Sequence, residues 1–254
     1  MIMQLNENER LGSRCPHHWR SPMRRSKRMA ITLVWALVLA SLGASTAWAV
    51  PYGNHDVRQL VVPASKPGAG GSFNLAYFDR MLSDLSAHAG NYPPQFDSPG
   101  DLQRAQRDTR QLIGMLHAAF GKSPPDALLL RMAALGSIGY NLEIPGVAEF
   151  AQTHYERALR ANADDPLANY HYGSFLAGSA RPREALPYLQ KARDKGVTPA
   201  LYAIGLAQLS LGDKSSALAA LNEYMKRNPS DQRVRGLVDA IRGGKLEIQV
   251  GRVK

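Results

Sequence analysis

Residues 135–155 read LGSIGYNLEIPGVAEFAQTHY, residues 169–189 read NYHYGSFLAGSARPREALPYL, and residues 201–221 read LYAIGLAQLSLGDKSSALAAL. Laid over one another, the three stretches agree in four columns. Gly139, Gly173 and Gly205 coincide, as do Ala151, Ala185 and Ala217. Tyr155, Leu189 and Leu221 share a third column, and Ile138, Tyr172 and Ile204 a fourth. The spacings are 34 and then 32 residues in every column. A period of that length marks stacked supersecondary units, none of which buries its apolar face alone. Glycine inside a helix costs roughly 1 kcal/mol against alanine. Three in register therefore point to close approach of two helix backbones.

These columns resemble the tetratricopeptide repeat, a helix–turn–helix unit of about 34 residues with the pattern W-x2-L-G-x2-Y…A-x3-F…P. The copies run Leu135-x2-Ile138-Gly139-x2-Leu142 to Ala151-x3-Tyr155, Asn169-x2-Tyr172-Gly173-x2-Leu176 to Ala185-x3-Leu189, and Leu201-x2-Ile204-Gly205-x2-Gln208 to Ala217-x3-Leu221. The leading Trp is missing throughout, Asn169 and Gln208 stand in apolar columns, and only the third copy closes on a proline, Pro229. The resemblance spans about Leu128 to Pro229. It implies an all-α fold, a right-handed solenoid of helical hairpins with helices before it and a capping helix after it. Val234, Leu237, Val238 and Ile241 supply that cap, halted by Gly243-Gly244.

Two earlier helices extend the array. Leu75, Phe78, Leu82 and Leu85 form one apolar stripe. Ser98-Pro99 and Asp101 start a second helix whose apolar face runs from Leu102 to Phe120. The expected organisation is a leader over 1–49, a flexible or extended lead-in over 50–72, helices over 73–125, repeats and cap over 126–242, and a tail over 243–254.

The leader reading rests on Arg24, Arg25, Lys27 and Arg28, the 13-residue apolar segment Ala30–Leu42, and Ala47-Trp48-Ala49. Basic region, apolar core and A-x-A site are the layout of a signal peptide, and the run falls short of the roughly 20 residues a spanning helix needs. Met23 is a second candidate start. The expectation is cleavage after Ala49 and a soluble periplasmic or secreted protein, touching the membrane only through its leader. The whole chain carries 31 basic and 21 acidic residues. Removing the leader leaves 24 basic and 19 acidic, a net of +5 over 205 residues, without Cys15 or any of the three Trp. An exported domain without cysteine holds together by packing alone.

Constellations for catalysis are sparse. His55, His88, His117, His154 and His171 show no H-E-x-x-H spacing, and no thiol follows the leader. Lys66-Pro67-Gly68-Ala69-Gly70-Gly71 lacks the ending of a phosphate loop. Asp164-Asp165 reads as a turn or helix cap. Arg104, Arg107 and Arg110, interleaved with Asp101 and Asp108, read as a solvated face, so no nucleic acid is expected as a partner. Neither metal nor cofactor is expected.

The leading expectation is a non-catalytic module binding a protein or peptide. Its alternatives are an enzyme or enzyme subunit with a site near His88-Ala89-Gly90-Asn91-Tyr92, and a small-molecule or glycan binder. The tetratricopeptide resemblance implies that the first helix of each pair lines the concave face. Tyr140, Tyr170, His171, Ser174 and Tyr202 would then form a Tyr-rich groove, tyrosine giving contact area with a polar tip at low entropy cost. Gly139, Gly173, Gly205, Ala151, Ala185 and Ala217 would hold the hairpins together.

Overall fold

A computed structural model describes residues 51–63 and 71–244. The leader, Cys15, the glycine cluster up to Gly70 and the tail residues Leu246, Ile248 and Val250 lie outside the described residues. Within them are nine α-helices: α1 (Leu75–Ala89), α2 (Pro99–Phe120), α3 (Asp126–Asn141), α4 (Val147–Ala161), α5 (Pro166–Gly178), α6 (Pro182–Asp194), α7 (Pro199–Ser210), α8 (Lys214–Arg227) and α9 (Gln232–Arg242). The fold is an all-α helical-repeat array. Among the described residues, no helix is long and apolar enough to cross a membrane.

The helices begin where the side chains dictate. Ser98 accepts a hydrogen bond from the Asp101 amide at 3.1 Å, with Pro99 at the first turn. Asp165 does the same for Ala168 at 2.8 Å, with Pro166 following, and Asp213 for Ser216 at 2.9 Å. Such caps satisfy amides that have no partner inside the helix. Asp165 is thus a helix cap, while its neighbour Asp164 holds the Lys191 ammonium at 2.7 Å.

The tightest pairings are α3 with α4, α5 with α6 and α7 with α8, three consecutive antiparallel hairpins, with α6 against α7 joining the last two. In the second and third hairpins the glycine column is the crossing point. A Cβ at Gly173 would lie 2.7 Å from Leu189 Cγ, and one at Gly205 2.6 Å from Leu221 Cγ. The first hairpin crosses one turn earlier. There Gly136 meets the Ala151 backbone, a Cβ falling 2.8 Å from its Cα, whereas Gly139 faces Val147 and Thr109 of α2. Here α3 has an extra neighbour, since it also packs against α1 and α2. Ala151, Ala185 and Ala217 are fully buried.

A fifth equivalence emerges at the hairpin turns. Gly146, Ala180 and Gly212 follow the same 34- and 32-residue spacing and all adopt left-handed backbone, with φ of 79°, 59° and 82°. The turn that reverses each hairpin requires this conformation, which glycine adopts without steric cost.

The lead-in differs from its sequence expectation. Residues 51–63 are packed down rather than merely extended: Tyr52 and Leu60 are buried, and Val57–Leu60 form a single 3-10 turn. Strand β1 (Val61–Val62) pairs antiparallel with β2 (Ser72–Phe73), Val61 opposite Phe73. Gly71 allows the two strands to close, because a Cβ there would lie 2.8 Å from the Val62 carbonyl oxygen. Local periodicity could not reveal this segment, since its partners lie on distant helices. The same N-terminal core is tied to α3 by Arg131 donating to Asp79 at 2.7 Å and by the Asn141 amide donating to the Ala89 carbonyl at 2.9 Å.

Candidate functional site

An open cleft of about 510 Å³ lies where the first hairpin meets the second. The end of α3 contributes Tyr140, and α4 contributes Ala148, Glu149, Gln152, Thr153 and Glu156. The end of α5 and the following turn contribute Phe175, Ser179 and Arg181. Helical spacing explains the α4 wall: positions 149, 152, 153 and 156 are three or four residues apart and share one face. Arg181 joins the lining directly after the left-handed turn at Ala180.

Its base is aromatic. The Tyr140 and Phe175 rings meet edge to face, with centroids 5.8 Å apart. Below them Tyr155 stacks on Tyr172 at 5.3 Å and bonds Ser137 Oγ at 3.0 Å. Burial pushes the Tyr155 phenol up to about 12. Burial, and after it the charge of Glu156, also raises the Tyr172 phenol.

A polar chain runs along one rim. Arg181 donates to Glu184 at 2.6 Å and to the Gln152 carbonyl oxygen at 2.8 Å, and the Gln152 amide donates to Glu156 Oε1 at 2.7 Å. The Tyr172 hydroxyl donates to the same oxygen at 3.3 Å. Just beyond, the exposed Tyr92 hydroxyl donates to Glu143 at 3.0 Å. That bond raises the Tyr92 phenol, as does the more distant Tyr140.

Of the five residues assigned to a groove from sequence, Tyr140 lines this cleft and the other four are not brought to it. Tyr170 is half-buried against the repeat core, with the exposed His171 ring 5.0 Å away. Ser174 is half-buried. Tyr202 is partly exposed and rests 5.8 Å from Tyr224, within its own hairpin. The α4 residues of the cleft escaped the sequence reading because the tetratricopeptide resemblance directs attention to first helices. The acidic pair Glu149 and Glu156, two turns apart on α4, was the available signal.

A second polar cluster fastens the N-terminal segment. The Tyr52 hydroxyl donates to buried Asp108 at 2.9 Å, and Arg104 donates to the Tyr52 carbonyl at 2.9 Å. Burial, then the Asp108 charge, raises the Tyr52 phenol. Asp84 receives the Gly53 amide at 2.9 Å and lies 2.6 Å from His55 Nε2. His88 stacks on Phe96 with centroids 5.1 Å apart, and its Nε2 is 3.5 Å from Asp84. His88 points into this cluster while Tyr92 is 66% exposed and bonded to Glu143, so the two do not converge. Among the described residues, no group of His, Cys, Asp and Glu is arranged to hold a metal ion.

No family model matches the sequence, and no curated protein matches it. Among solved structures, the chain is similar to YrrB, described as a TPR protein with an unusual peptide-binding site, at 21% identity. That match covers 68% of this chain and 82% of the other with a TM-score of 0.44. It is also similar to a thermophilic TPR protein of Thermus thermophilus at 18% identity, covering 66% and 91% with a TM-score of 0.39. The crossings at Gly173 and Gly205, the buried alanine column and the three consecutive antiparallel hairpins give this chain a tetratricopeptide-like helical-repeat fold.

Proposed function

We propose that this chain is a non-catalytic interaction module that binds a protein or peptide segment in the cleft floored by Tyr140 and Phe175. The observation that carries the proposal is the shape and chemistry of that cleft. It is open, its base is an edge-to-face aromatic pair, and its rim offers hydrogen-bonding side chains from α4 and from the turn after α5. Aromatic anchors ringed by polar groups are the composition of binding hot spots. The wider Tyr-lined surface that includes Tyr170 and Tyr202 belongs to the same reading as a flanking contact area. The enzyme alternative has less behind it, because His88 is stacked and buried among residues that anchor the N-terminal segment. A role in envelope assembly follows from the export reading. The basic stretch Arg24–Arg28, the apolar run and Ala47-Trp48-Ala49 support cleavage before Val50 and periplasmic residence.

Two measurements test this. Tyr140→Ala removes a 37% exposed ring and is expected to abolish peptide capture on an array while the chain stays folded, with an unfolding midpoint lowered by the lost packing on Phe175. Equal capture by wild type and variant would remove the cleft from consideration. N-terminal sequencing of the exported form should begin at Val50, with tyrosine-only emission because no Trp remains. A retained leader would end the soluble, exported reading.

A further inference from the structure

The cleft carries negative charge in a basic protein. Glu149 is exposed and has no bonded partner among the described residues, and Glu156 holds only the neutral donors Gln152 and Tyr172 through Oε1. The one cation in the lining, Arg181, has its guanidinium engaged by Glu184 and Gln152. Glu143 continues the acidic edge outside the cleft, beside Tyr92. The sequence as a whole has the opposite balance, 31 basic residues to 21 acidic. Glu149 without a partner, and Glu156 near Arg181 but bonded only to neutral donors, are therefore a local departure from the chain's own charge.

Their spacing selects a ligand geometry. Glu149 and Glu156 are seven residues apart on α4, about 10 Å along its axis at 1.5 Å per residue. A polyproline II segment has three residues per turn and rises about 3.1 Å per residue, so its positions i and i+3 share a face about 9 Å apart. Side chains between them would turn toward the Tyr140–Phe175 base, which is the kind of aromatic surface that extended proline-rich segments use. The exposed Tyr140 ring is also suited to receive a guanidinium over its face.

Building on the interaction reading above, we propose that the cleft takes an extended peptide segment of another protein bearing two cationic side chains three residues apart, flanked by proline or other apolar residues. One cation meets Glu149 and the other Glu156.

The test uses the full chain and three fluorescein-labelled, proline-rich decapeptides that differ only at two positions three residues apart, carrying Arg, Gln or Glu at both. Fluorescence anisotropy should show the Arg probe binding about tenfold more tightly than the Glu probe, a gap that narrows as salt screens the carboxylates. Glu149→Gln should weaken the Arg probe about threefold, within the range of an exposed ion pair, and weaken the Gln probe by less. Equal binding of all three probes, lost in Tyr140→Ala, would overturn the charge assignment and leave the interaction reading standing. Failure of every probe would overturn both. Concentration-dependent self-association in sedimentation that Glu149→Gln abolishes would overturn the proposal in favour of a second copy as occupant.

Discussion

A Cβ placed on Gly173 would sit 2.7 Å from Cγ of Leu189, the residue sixteen positions later on the facing helix. Nonbonded carbon atoms do not approach that closely, so a side chain at 173 and a leucine at 189 exclude each other. Gly173→Ala is expected to destabilise by about 1–3 kcal/mol through overpacking, despite the better helix propensity of alanine. In a Leu189→Ala background the same change should cost much less. Urea unfolding of the four-member cycle measures the coupling, which should exceed about 0.5 kcal/mol; additive effects would mean that the helices do not cross there.

The left-handed turn column makes a prediction of opposite sign. Ala180 has φ of 59° where its equivalents are Gly146 and Gly212. An L-residue in this region costs roughly 1–2 kcal/mol, partly offset by the greater unfolded-state entropy of glycine. Ala180→Gly should raise stability by up to about 1 kcal/mol, whereas Gly212→Ala should lower it by a similar amount. Thermal melts of the two single variants shifting in the same direction would refute the equivalence.

Helix glycines without neighbours serve as the control. A Cβ at Gly114 or Gly236 would meet nothing within 4 Å. Both lie inside helices, so substitution by alanine should stabilise by about 0.5–1 kcal/mol each. Destabilisation by either would mean that a partner packs on that face.

Tyr155 predicts an alkaline transition. Its folded phenol, pushed up to about 12, ionises later than an unfolded tyrosine near 10. The raised value means that its stabilising effect is complete below about pH 10 and is lost as pH climbs from about 10 to 12. Tyr155→Phe should flatten stability across that window relative to wild type, which denaturant midpoints at successive pH values would record. His154 acts at the other end. Burial lowers its pKa below the usual 6.5, and its Nδ1 lies 2.7 Å from the Phe150 carbonyl. The depressed value makes stability fall as pH drops below 6.5, and His154→Gln should remove that component.

The N-terminal latch can be tested without touching the repeats. Tyr52→Phe removes the donor to buried Asp108 and should cost about 1–3 kcal/mol, the penalty for leaving a buried acceptor short of a partner. Hydrogen exchange should quicken in α1 and α2 before α7 and α8. Uniform loss of protection would show that the segment is not a separate fastening.

The sequence alone determined the repeat class, the helical composition and the hairpin order. Those properties reside in short-range periodicity: the spacing of Gly173 from Ala185 and Leu189 lies within one hairpin and recurs, so it can be counted. Caps such as Ser98 and Asp165 were legible for the same reason, since a cap bonds an amide three residues away. Tertiary structure alone decided three other matters. Tyr52 finds Asp108 across 56 residues, a separation over which no local pattern survives, so the packed lead-in looked extended. The first hairpin crosses at Gly136, while Gly139 meets Thr109 of α2 as well as Val147 of α4, and a repeat aligned on its own columns carries no record of such a neighbour. The cleft, finally, combines Tyr140, α4 and Arg181 from two adjacent hairpins. Whether an aromatic residue on a repeat helix is buried or open depends on the tilt between neighbours, which is settled when the hairpins pack against each other.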